Sequence, residues 1–261
     1  MNTALAILAH ALRMLVFEVA TTIRVVLPAL LLVFGCSIAI AFFAPDTVAM
    51  MQSPVGENTP PRVGSALSFL IFGTIGLLGY ALMAILWHRH VLLNGAENPQ
   101  ELRPAPRIFW TYIWRAIIVA CLQLVAAVPI TLAMGFMGAP FDLTSPTSLP
   151  ATFIGLLGSI VFVWIALRLS LVLPAAAIGY AMGVPRSWEI TNPVTNQLWG
   201  VALLLTGLNM CVYALATVVL PDAGTITVVA QTLIFVVEGL VFVSALTTLY
   251  GHLVEGRSLG Q

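Results

Sequence analysis

Ile226 to Tyr250 reads ITVVAQTLIFVVEGLVFVSALTTLY, a run in which Glu238 is the single charged side chain. A helix of about 20 apolar residues crosses the roughly 30 Å hydrocarbon core of a bilayer, so this stretch is a membrane span by length and by composition. A strand of a membrane barrel would be about half as long and would alternate apolar with polar residues. The apolar residues here are continuous. The stretch therefore predicts a helix in lipid and places a carboxylate near its middle.

Five further runs of the same character stand upstream, at Val25–Ala44, Ser65–Trp87, Ile113–Met134, Ala151–Leu173 and Leu198–Leu220. The expected fold is all-α: one integral membrane domain over residues 1–261, an integral membrane helical bundle of six transmembrane helices. Composition agrees, since 60% of the residues are hydrophobic, 8% are charged and the mean hydropathy is +1.04. A water-facing surface needs about a quarter of its residues charged. Residues 1–24 are interrupted by Arg13 and Glu18 and lack the basic start, short apolar core and small-residue cleavage site of a secretory signal. They read as an N-terminal interfacial amphipathic helix leading into the first span.

All ten basic residues are arginine, a usage that suits a GC-rich bacterial genome. Arg13, Arg24, Arg89, Arg103, Arg107, Arg115, Arg168, Arg186 and Arg257 fall on one side of the expected spans, and Arg62 falls alone on the other. Basic residues near span ends are retained in the cytoplasm. The expectation is a multi-pass protein of the bacterial inner (cytoplasmic) membrane with both termini inside. Its partners would be membrane lipids and other membrane proteins. Nucleic acid is not expected, because the formal net charge is zero and phosphate binding needs a surplus of cations on one face.

Glu238 is the most informative candidate, because a carboxylate at a span centre costs roughly 3 kcal/mol on insertion scales unless something compensates it. Steps of seven along the helix put Gln231, Glu238, Ala245 and His252 on one face, with Thr227 one turn before Gln231, and this face is expected to look inward. The intramembrane polar candidates are Glu238, Arg168, Gln231 and Arg115, with Arg168 the expected ion-pair partner of Glu238 and Arg115 the second choice. The interfacial lipid-contact candidates are Arg89, Arg107, Arg186 and Trp188. Within His88-Arg89-His90 the two imidazoles lie two residues apart and point to different sides of a helix, so neither a metal site nor a cofactor is expected. Cys36, Cys121 and Cys211 are isolated in apolar runs and read as small packing residues.

Two stretches carry a resemblance. Trp87-His88-Arg89-His90-Val91-Leu92-Leu93-Asn94-Gly95 is similar to a segment of uncharacterised six-span alphaproteobacterial membrane proteins. Arg168-Leu-Ser-Leu-Val-Leu-Pro174-Ala-Ala-Ala, with Ser187-Trp188-Glu189-Ile190-Thr191 and then Trp199, resembles a group that includes the membrane domain of some glycerophosphodiester phosphodiesterases. Asn192-Pro193-Val194-Thr195 departs from that group, which has a basic turn there, and no hydrolase domain is expected within these 261 residues. The resemblance implies a fold and a membrane location and transfers no catalytic residue.

No phosphate-cradling GxxxxGK[ST], HExxH or GxSxG motif occurs, and the loops are too short for a catalytic domain. An enzyme is not expected. Two functions remain open: a membrane protein that organises lipids or partner proteins, and a small transporter with an intramembrane site around Glu238.

Overall fold

The computed structural model describes residues 2–17, 19–52, 60–93, 102–138, 149–220 and 225–258. Its elements are α1 (Asn2–Phe17), α2 (Val19–Phe43), α3 (Pro45–Gln52), α4 (Val63–Leu92), α5 (Pro106–Gly138), α6 (Leu149–Leu169), α7 (Val172–Ala177), α8 (Val184–Thr191), α9 (Thr195–Val219) and α10 (Thr225–Leu253). A single 3-10 turn at Asn192–Val194 joins α8 to α9. Six stretches are long and apolar enough to cross a membrane, with α6 running into α7 and α8 into α9. The chain is an all-α integral membrane protein. Glu57, Glu97, Glu101, Asp142 and Asp222, and with them parts of the loops read from sequence, lie outside the described residues.

The helices form two groups. α2 and α4 pack along their length and carry α10, while α6 is sandwiched between α5 and α9. Lipid tails give helices no hydrophobic reason to associate, so small residues must let them approach. A Cβ added at Gly79 would lie 3.1 Å from Leu32, and one at Gly76 would lie 3.5 Å from the Cβ of Cys36. Those glycines and Cys36 form the α2–α4 seam, whereas Cys121 and Cys211 are exposed and are not the packing residues expected.

The two groups are joined at one end by α1 and α7. α1 buries Ala4, Ile7, Leu8 and Ala11, an apolar helical stripe with an alanine at each end, against both α9 and α10. Gly200 makes room for it, since a Cβ there would stand 2.8 Å from that of Ala4. The N-terminal helix is thus a wedge between two spans, and residues 19–24 belong to the first span and not to the surface helix.

α7 exists because Pro174 interrupts its predecessor. Proline has no N–H to give the Ser170 carbonyl and its ring crowds that carbonyl. α6 accordingly stops at Leu169 and the chain restarts at Val172. α7 then ends in a Schellman turn: Tyr180 N–H donates to Ala175 O at 2.8 Å and Gly179 N–H to Ala176 O at 3.1 Å. Gly179 has φ +83°, a conformation that costs glycine little. Pro174 to Ala177 are all buried. The following Gly179, Tyr180 and Ala181 are exposed, and α8, which carries the interfacial candidate Trp188, is mostly exposed or half-buried.

Candidate functional site

Glu238 lies on α10 between two cavities. The larger, about 660 Å³, is enclosed by α4, α5, α6, α9 and α10 and includes Ile130, Met134, Phe162, Leu205 and Phe242 in its wall. The smaller, about 380 Å³, runs from Glu238 towards the end where α9 leads into α10, past Gln231, Thr227, Tyr213 and Thr217. Asn209 on α9 lines both cavities and donates from Nδ2 to Glu238 Oε2 at 2.8 Å. The polar face read from the sequence is inward only in part: Thr227 and Ala245 are buried, Glu238 is half-buried, and Gln231 is exposed on the wall of the cleft.

The cavities exist because α9 and α10 diverge. α9 leans on α6, α10 leans on α4 and α2, and α1 holds the pair apart at the far end. Tyr80 from α4 crosses the gap, its hydroxyl directly over Gly239, where any Cβ would overlap the phenol. Its ring packs on Phe235 with centroids 5.1 Å apart.

Arg168 is not the partner of Glu238. Its guanidinium turns the other way, into α8 and the turn after it. Its carbon stands 3.7 Å from the centroid of Trp188 and 5.2 Å from that of Trp164. Nε donates to Thr191 Oγ1 at 3.2 Å and one terminal nitrogen donates to the Trp188 carbonyl at 2.9 Å. Ser187 returns a bond to the Arg168 carbonyl at 2.6 Å, and Trp164 stacks on Trp199 at 4.7 Å. This is a latch that fastens α8 to α6 and α9. Sequence placed Arg168 and Trp188 in separate groups of candidates, and the structure makes them one cluster.

Arg89 is also relocated. It was expected to reach lipid phosphates, but α4 continues past Trp87 to Leu92 and α7 packs over that extension, so Arg89 is buried. It donates to the Ala177 carbonyl at 2.8 Å, satisfying an orphan acceptor at the negative end of α7. Arg257 does the same for α4, donating to Val91 O at 3.1 Å and Leu92 O at 2.7 Å, while Glu255 stands 2.6 Å from its Nε. Arg107 and Arg186 are exposed. Arg186 pairs with Glu189 at 3.3 Å, and Arg115 is half-buried and lines neither cavity.

His88, read as part of a surface triplet, is fully buried. Its Nδ1 lies 2.8 Å from Thr247 Oγ1, and the Thr247 hydroxyl donates its one proton to Val243 O at 2.7 Å. The hydroxyl can only accept from histidine, so the imidazole carries its proton on Nδ1. Asn209 was missed in the sequence because one polar residue in an apolar span has no periodic signal. The available hint was a pair of polar residues, one in each of two consecutive spans.

No protein-family model, curated protein or solved structure matches this chain.

Proposed function

We propose that this integral membrane protein binds a small molecule inside the bilayer and carries or presents it, with Glu238 and Asn209 as the polar anchor of an otherwise apolar site. The observation that carries the reading is a carboxylate facing a cavity of about 660 Å³ and held by an amide, with no ion-pair partner among the described residues. Cavities of about 300–1,000 Å³ with apolar walls and a few convergent polar groups are the usual sites for drug-sized ligands. An ionisable group inside a span is by default functional. The reading requires no covalent chemistry. The arginine-rich end is proposed to face the cytoplasm of a bacterium, by retention of basic residues on that side, so the cleft of Gln231 and Thr227 opens towards the opposite face.

The reading as an organiser of lipids or partner proteins draws on Arg107, Arg186 and Trp188. Multi-span proteins generally display such a belt, so the cavity is the more specific feature. The test is aqueous labelling. In a background with Cys36, Cys121 and Cys211 replaced, Gln231→Cys in sealed vesicles should react quickly with a small membrane-impermeant thiol reagent. Val237→Cys, on the exposed outer face of α10, should not. Equal protection of both positions would remove the water-reachable site.

A further inference from the structure

We infer that the molecule this cavity takes is an amphipathic cation, a protonated amine on an apolar body, which reaches Glu238 sideways from the lipid between α9 and α10. The inference rests on the cavity reading above and adds the sign, the hydrogen-bonding class and the route of the ligand.

The sign follows from the wall. No arginine or histidine lines either cavity, and Glu238 is the charged residue both share. A carboxylate in an apolar enclosure is stabilised by a cation or a proton, and an anionic ligand there would meet like charge with little solvent screening. Four aromatic side chains, Tyr80, Phe162, Phe235 and Phe242, line the larger cavity with Glu238, and ring faces attract cations, more strongly when these are desolvated.

The hydrogen-bonding class follows from which protons are already committed. Asn209 turns its amide nitrogen to Glu238 Oε2, which fixes the amide and leaves Asn209 Oδ1 and Glu238 Oε1 as free acceptors. The Thr131 hydroxyl donates back to Ala127 O at 3.0 Å and Val128 O at 2.9 Å, so only its lone pairs face the cavity. Thr206, buried at 4% exposure on the same wall, has an oxygen with no partner among the described residues. A ligand with several N–H donors can serve the adjacent Glu238 Oε1 and Asn209 Oδ1 together, which an alcohol with one proton or a carboxylate with none cannot do.

The route follows from the divergence of α9 and α10. The Glu238–Asn209 bond spans the gap between them and is itself exposed, and Phe235 beside it is 53% exposed. A molecule already partitioned into the bilayer meets this pair before it meets the interior of the cavity. Its apolar body then fits against Leu205, Met134 and Ile130, while its ammonium stays at the carboxylate.

The test uses three photoreactive probes of equal chain length, a dodecyl amine, alcohol and carboxylic acid. The protein is held in phosphatidylcholine nanodiscs, and the crosslinked peptides are located by mass spectrometry. The amine should label residues of the 127–134, 205–213 and 231–242 segments, with excess unlabelled dodecylamine competing. Glu238→Gln should cut that labelling about tenfold or more, the loss expected for a hydrogen bond to a charged group. Glu238→Asp should keep the preference for the amine, which guards against misfolding as the cause. Phosphatidylethanolamine in the nanodisc separates the two sources of an ammonium: competition by it assigns the site to a lipid headgroup, and none assigns it to a free amphiphile. Equal labelling by the alcohol or the acid, or amine labelling unchanged in Glu238→Gln, overturns the cationic class and leaves the cavity reading standing. If no probe labels the cavity and Gln231→Cys is also shielded from water, both fall.

Discussion

Replacing Arg168 by methionine separates a latch from an ion pair by the size and the partner of its effect. In the structure the guanidinium loses a stacked contact at 3.7 Å with Trp188, and a desolvated cation–π contact contributes about 2 kcal/mol. It also loses the bond to the Trp188 carbonyl at 2.9 Å, where a hydrogen bond to a charged group contributes about 1.5–3 kcal/mol. Against these stands the desolvation cost of a buried cation, several kcal/mol, which disappears with the charge. No acceptor is orphaned, because the Thr191 hydroxyl still donates to the Trp188 carbonyl at 3.0 Å. The expected net loss is about 1–3 kcal/mol, below the roughly 3–5 kcal/mol that follows from breaking a buried ion pair. Double-mutant cycles, read by circular dichroism during denaturing-detergent titration, locate the partner. Arg168→Met should couple to Trp188→Leu by about 1–2 kcal/mol and should add to Glu238→Gln within about 0.5 kcal/mol. Coupling to Glu238 with none to Trp188 would refute the latch.

The wedge is tested by two glycines on one helix. Gly200→Ala presses on Ala4 and should cost about 1–3 kcal/mol, as overpacking does, with faster hydrogen exchange in α1. Gly207→Ala meets open space and should stabilise by roughly 0.5–1 kcal/mol through helix propensity alone. For His88, nitrogen NMR of the histidine-labelled protein should show one neutral imidazole protonated at Nδ1. Thr247→Val should cost about 1–3 kcal/mol because it strands that buried N–H. His10 on α1, facing Arg13 on its own helix and His252 and Arg257 across a small pocket, is held below the ordinary value of 6.5 by burial and then by the Arg13 charge. Its folded pKa lies under its unfolded one, so the unfolded chain takes up the proton first as pH falls. Stability should therefore decline below about pH 6.5, and His10→Gln should flatten that slope. A stability profile of the variant that matches the wild type would set this aside.

The six spans were legible because apolar length is a local property, and each expected run falls, to within a residue at its ends, inside one of the six membrane-length stretches, although the fourth crosses the break between α6 and α7. The inward face of Glu238 was legible from seven-residue steps for the same reason. What could not be read is every contact that depends on where a helix stops. The arginines near span ends carry one message in a sequence, retention on one side, yet Arg89, Arg168 and Arg257 spend their donors on carbonyls. Those carbonyls lie where α4 ends at Leu92, where α7 ends at Ala177 and in α8 at Trp188. Pro174 was visible all along, and its consequence at Ser170 could have been drawn from the missing N–H. The Asn209–Glu238 bond was hidden for a different reason: it joins two helices whose separation is set by a third.

That third helix links architecture to site. Consecutive spans joined by a short connection would ordinarily pack against each other along their length. α9 and α10 instead receive α1 between them at the arginine-rich end, where Ala4 meets Gly200. At that end α1 fills the gap with Ala4, Ile7, Leu8 and Ala11. Towards the other end the same divergence leaves nothing to fill it except Tyr80, the Asn209–Glu238 bond and the cavities they border. The packing of α1 against both α9 and α10 thus accompanies a divergence that leaves a cavity further along the same pair. A change at Gly200 that lifts α1 should let α9 close on α10 and reduce access to Gln231→Cys from water, although the two positions lie towards opposite ends of the bundle.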